Sequence, residues 1–111
     1  MLKLCSIKDL TTGIFLPPQS VKDEVEAKRG FISIMSSETD VARFPDEYSL
    51  YYLGKFNPEN GRIDMDGPTE ILHGTRAKQI YIEMQHQEEL IAFQLEQKRQ
   101  SLTKENEKCD Q

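Results

Sequence analysis

Two histidines, His73 and His86, and two cysteines, Cys5 and Cys109, are the side chains of this chain best suited to binding a metal or attacking a substrate. Their spacing serves neither purpose. The histidines are thirteen positions apart, with no Cys or Asp pair at ligand spacing, whereas a zinc site needs three or four ligands. Cys5 lies in an alternating apolar segment with no histidine near it in sequence, the setting of a buried thiol rather than a nucleophile. Asp46-Glu47 and Asp64 with Asp66 have the oxygen chemistry for a hard cation, but acids at such positions are commonly surface groups and turn caps. The chain has no glycine-rich phosphate loop and no nucleophile elbow. The expectation is therefore a protein that is not an enzyme and uses no cofactor or metal.

Aromatic residues give a stronger lead. The stretch "RFPDEYSLYYLGKF", residues 43–56, contains Tyr48, Tyr51, Tyr52 and Phe56. Alternation along a strand sets Tyr48, Leu50, Tyr52 and Phe56 on one face and Tyr51 and Leu53 on the other. An antiparallel sheet with one solvated face has no need of large apolar residues on both. Two uses fit. Tyr51 and Leu53 pack beneath a C-terminal helix or a second subunit. Alternatively, Tyr48 or Tyr51 stacks on unpaired bases of single-stranded DNA while Lys55, Arg62, Arg76 and Lys78 meet phosphates.

Charge weighs on that choice. Fourteen Lys and Arg against nineteen Asp and Glu leave a net charge of −5, the opposite sign from a typical nucleic-acid binder. Two cysteines near opposite ends do not make a disulfide framework, which fits a reducing compartment. The opening "MLKLCSIKDL" lacks the features of a signal peptide, and no apolar run is long enough for a membrane span.

The elements that would position these residues follow from periodicity. "LKLCSIKD" alternates as a strand over 2–9, and "IFL" returns as a short partner, stopped by Pro17 and Pro18, which lack the amide hydrogen a ladder requires. Ser20 with Asp23, Glu24 and Glu26 marks a helix start. Val21, Val25, Ile32 and Met35 trace its apolar stripe to an end near Ser36. Gly30, poor in a helix, suggests a neighbour packed close to it. Residues 36–40 read as loop. The aromatic strand runs from Tyr48 to Phe56, turns at Asn60-Gly61, and returns through "RIDM".

From about Thr75 to Lys108 there is neither glycine nor proline. Ala77, Tyr81, Met84, Ile91, Leu95 and Leu102 follow a 4-3 spacing, with Glu88 and Lys98 in the two slots between. This predicts a long helix, on the order of 50 Å, with a short coiled-coil seam and a frayed end. Ile80, Leu90 and Phe93 fall off the seam, so the helix has apolar residues for a second contact. The predicted class is α+β. A small antiparallel sheet of three to four strands is packed by one helix over residues 1–68, and the long helix occupies 69–111. The long helix, or a partner subunit, is expected to cover the sheet face that the first helix leaves open.

"LPP" at 16–18, "KDEVEAKRGF" at 22–31, "FPDEYSLYYLGKF" at 44–56 and "NPENGRI" at 57–63 stand in an order that resembles the small non-structural, ORF5-type proteins of gokushovirus-like microviruses, which are single-stranded DNA phages. Lys3, Leu4, Ser6, Ile7, Asp9, Pro17, Pro18, Asp23, Arg29, Phe31, Pro45, Tyr48, Leu50, Tyr51, Gly54, Phe56 and Gly61 occupy matching places. The likeness covers about residues 1–65. The long helical tail departs from it, since many members stop soon after the last strand.

The resemblance carries no catalytic residues. It implies a viral protein of the infected bacterium's cytoplasm, associated with the switch to single-stranded DNA synthesis and packaging. With the residue pattern, it yields a leading expectation. The protein is a self-associating adaptor that meets a viral or host replication or procapsid protein, with Tyr51, Leu53, Ala77, Tyr81, Met84, Ile91, Leu95 and Leu102 at interfaces. Direct binding of single-stranded DNA is the rival expectation, and no membrane is involved in either.

Overall fold

In the computed structural model the backbone is described for residues 1–109 and side chains for residues 1–98. The architecture is α+β: an antiparallel sheet, helices, and a long C-terminal helix. The chain divides into two compact units, Met1–Tyr81 and Ile82–Gln111.

Strand β1 (Leu2–Asp9) is followed by β2 (Ile14–Phe15) and β3 (Gln19–Val21), which both pair with β1. The sequence predicted one return strand. Pro17 and Pro18 break it, and the chain re-enters the ladder beyond them, so Val21 belongs to a strand rather than to the helix. At the break the Ser6 hydroxyl donates to the Leu16 carbonyl, supplying a partner that the proline-interrupted ladder does not. The helix α1 (Glu24–Ile34) starts where acidic residues cluster: the Asp23 carboxylate caps it by accepting from the Glu26 amide at 2.8 Å. Gly30 corrects an expectation, because a Cβ there would meet nothing within 4 Å.

The polar loop contains a single turn of helix, α2 (Asp40–Arg43), then a 3-10 turn over Pro45–Glu47. Strand β4 (Tyr48–Phe56) pairs with β1 on one side and β5 (Ile63–His73) on the other, giving the order β2-β1-β4-β5. Gly61 turns the chain between them with φ of 75°, the conformation expected of Asn-Gly. β5 runs well past "RIDM", through Gly67 and Pro68. Pro68 is tolerated because β5 is an edge strand and its register skips opposite Leu53.

One hydrophobic core holds the first unit together. Cys5, Ala27, Phe31, Met35, Val41, Leu50 and Ala77 are buried in it, with Tyr48, Tyr52 and Tyr81 packed against them. The first turns of helix α3 (Gly74–Cys109), through Ala77 and Tyr81, therefore enter the same core as α1, not the opposite sheet face. Gly74 permits that entry. A Cβ at this position would collide with the carbonyl oxygens of Pro45 and Tyr48, the latter at 2.7 Å. The compact unit thus extends to Tyr81, beyond the boundary expected near residue 68.

Candidate functional site

Strand β4 sets the geometry of any surface site. Between Tyr52 and Gly54 the register slips against β1, which leaves Leu53 as a bulge on that side; against β5 the extra residues at the same point, Asp66, Gly67 and Pro68, are β5's own. One inserted residue inverts the side-chain phase beyond it. Phe56 consequently pairs with Leu2, on the face opposite Tyr48, Leu50 and Tyr52, and not beside them as plain alternation predicted.

The face turned away from α1 can be read in rows, because paired residues share a face. Leu2, Phe56 and Ile63 form one row, and Leu4, Gly54 and Met65 the next. Ser6, Tyr51 and Glu70 follow, then Lys8, Ser49 and His73, with Phe15 beside Lys8. Ile63 is 55% exposed and Met65 65% exposed, so this end of the open face presents apolar surface to solvent.

Tyr51 sits at the centre of the open face, fixed from several sides. Its ring meets Phe15 edge-on, with centroids 5.5 Å apart and planes at 84°. The Lys8 ammonium lies 5.2 Å from the Phe15 centroid and 5.5 Å from that of Tyr51. The Tyr51 hydroxyl reaches Glu70 Oε2 at 3.5 Å, an oxygen that also accepts from the buried Ser49 hydroxyl at 3.1 Å. Lys8 and Phe15 were not singled out in the sequence. The β1–β2 and β1–β4 registers together bring them to Tyr51.

The other DNA-contact candidates are dispersed. Tyr48 packs against the core, where burial first, then Asp9, Asp40 and Glu47, push its phenol pKa upward. Lys55 is exposed and pairs with Lys3, on the α1 side of the sheet. Arg62 Nε bonds Asp64 Oδ1 at 3.0 Å. Arg76 Nη1 donates to Gln79 Oε1 at 3.4 Å. Lys78 Nζ donates to the Met35 carbonyl at 3.1 Å and lies over the Tyr81 ring, so its charge completes the C-terminal end of α1. Lys55 and Lys78 thus lie away from Tyr51's face of the sheet.

The interface candidates divide by region. Tyr51 is on the open face, and Leu53 is half-buried at the bulge, outside the core cluster. Ala77 is fully buried and Tyr81 packs on the core. Met84, Ile91 and Leu95 are 51%, 57% and 56% exposed. Leu102 lies outside the described side chains.

Several of the polar groups considered for chemistry have structural roles. The Thr75 amide donates to His73 Nδ1 at 3.1 Å, so His73 caps the start of α3. Cys5 is buried, and burial above all raises its thiol pKa. Asp66 accepts from the Tyr52 hydroxyl at 3.3 Å. Among the described residues no three His, Cys, Asp or Glu side chains gather where they could hold a metal ion. A half-open groove of about 640 Å³ separates α1 from the sheet edge, lined by Ile7, Leu16, Val21, Ala27, Gly30 and Phe31 among others.

The family model described as Phage ORF5 protein matches residues 2–78. The chain belongs to the phage ORF5 family. The match ends within the first turns of α3, close to the end of the first compact unit at Tyr81. The helix from Ile82 onward lies outside the matched residues. No curated protein and no solved structure gives a significant match. No helix among the described residues is long and apolar enough to cross a membrane.

Proposed function

We propose that this phage ORF5 protein is a non-enzymatic, self-associating adaptor of the infected cell's cytoplasm. It acts in viral single-stranded DNA synthesis or packaging by docking a viral or host replication or procapsid protein. One observation carries the reading. Between Ile82 and Lys98 six large apolar side chains, Ile82, Met84, Leu90, Ile91, Phe93 and Leu95, are each 46% to 58% exposed. Large apolar side chains recurring so often along one solvated helix support an association site. The apolar rows of the open sheet face supply a second docking surface for the partner. Cross-linking of the full chain in extracts of infected cells, read by mass spectrometry, tests the adaptor role. Recovery of a replication or capsid protein joined near Ile63 or Met65 is expected, and cross-links confined to copies of this chain would contradict it.

The Lys8–Phe15–Tyr51 cluster favours a second reading, direct binding of single-stranded DNA. Against it, Lys8 already occupies one face of Tyr51, and the remaining candidate cations are dispersed. Fluorescence anisotropy with a labelled single-stranded oligonucleotide separates the two. The adaptor reading expects no saturable binding even at low salt, where attraction is least screened. Saturable binding that falls steeply with salt and weakens in Tyr51→Ala would replace it.

A further inference from the structure

The seam of α3 has a symmetry that selects one partner and one orientation. Its 4-3 positions within the described side chains are Met84, Glu88, Ile91, Leu95 and Lys98. All five are exposed. Residue 93 is their centre of symmetry. Ile91 and Leu95 stand two residues to either side of it, and Glu88 and Lys98 five. Nine residues before it is Met84, and nine residues after it the sequence has Leu102. The two polar interruptions of the seam are thus opposite in charge and equidistant from its middle.

We propose that α3 pairs with a second copy of itself as an antiparallel two-helix coiled coil, with the two-fold axis passing beside residue 93. This rests on the self-association reading above and adds its geometry. In an isologous contact, residue i meets residue j and j meets i. An axis at 93 sets Ile91 against the partner's Leu95 and Glu88 against the partner's Lys98. Two reciprocal ion pairs then flank an apolar centre, and the polar slots that weaken a simple zipper become the residues that fix its register. A parallel in-register pair would instead face Glu88 with the partner's Glu88 and Lys98 with the partner's Lys98. Like charges in those positions oppose association. Charge complementarity therefore picks a second copy of this chain, running the other way.

Opposite the seam, Ile82, Leu90 and Phe93 fall on the far side of the helix at 100° per residue. A two-helix contact leaves them uncovered and available to another protein.

The test is sedimentation equilibrium of the full chain and three charge variants. The wild type is expected to be a dimer. Lys98→Glu or Glu88→Lys alone places like charges together at both ends of the seam, and each is expected to raise the dimer dissociation constant about tenfold or more, or about 1.4 kcal/mol. The double variant E88K/K98E restores opposite pairs only in the antiparallel register, and its dissociation constant is expected to return to within about threefold of the wild type. A dimer indifferent to the single reversals, a double variant that fails to recover, or a larger assembly would overturn the antiparallel pairing while leaving self-association standing. A wild type that stays monomeric throughout would overturn both.

Discussion

One helix meets two environments in this protein. Over its first two turns the 4-3 spacing delivers Ala77, with no exposed surface, and Tyr81 into a core shared with Phe31 and Met35. The same spacing continues through Met84, Ile91 and Leu95, which are all more than half exposed. Apolar periodicity therefore identifies a face that needs cover without saying what covers it. In the first unit the cover is intramolecular and has polar support: Lys78 donates to the carbonyl of Met35, which caps the end of α1, and His73 receives the amide of Thr75. Beyond Tyr81 the described residues form no core cluster, and a partner is the proposed cover.

The largest expected effect is a contrast between the two regions. Phe31 is 2% exposed at the centre of the core, and Phe31→Ala is expected to cost about 3–5 kcal/mol of folding stability. Phe93→Ala removes the same ring from a site that is 58% exposed, and is expected to change the stability of the first unit by less than about 0.5 kcal/mol. Urea unfolding followed by tyrosine fluorescence measures both. Equal losses would erase the distinction.

A smaller effect probes how α3 is joined to α1. Lys78→Met keeps most of the aliphatic stem but removes the ammonium from the Met35 carbonyl, and a loss of about 1 kcal/mol is expected for a half-buried charged hydrogen bond. The same unfolding experiment reads it, and an unchanged midpoint would mean that the first turns of α3 are held by packing alone.

The smallest effect is one of pH. Tyr52 has its phenol pKa raised, first by burial, then by the Asp66 charge and by its hydrogen bond to that carboxylate. The unfolded phenol ionises near about pH 10. Because the folded value is higher, this contribution to stability is intact below pH 10 and is lost as the pH rises through the folded value. Absorbance titration at alkaline pH is expected to show a late-ionising phenol that disappears in Tyr52→Phe.

The contrast also explains what was legible in the sequence. Strands β1 and β4 lie where alternation put them, and Asp23 caps α1 within the acidic stretch that announced it. Local chemistry sufficed there, because alternation and capping depend on neighbours in the chain. Features set by strand pairing were not legible. Nothing local marks Leu53 as a bulge, yet the slip moves Phe56 to the other face. Pro68 reads as a strand breaker until β5 is known to be an edge strand with an irregular register. The Tyr51 environment was half visible: the ring was found from its place in β4, whereas Lys8 and Phe15 reach it only through pairing. Lys78 had the charge of a phosphate contact, but the packing of α3 directs it to the end of α1.

On the proposed reading, α3 beyond Tyr81 is covered by a second copy of the chain. The measurement that tests it most directly is sedimentation velocity of the full chain beside Ile91→Asp/Leu95→Asp, with helicity followed by circular dichroism over the same concentrations. The wild type is expected to be a concentration-dependent dimer, and the variant a monomer with an intact first unit and reduced helicity. A wild type that sediments as a monomer at every concentration, with the same helicity as the variant, would contradict it.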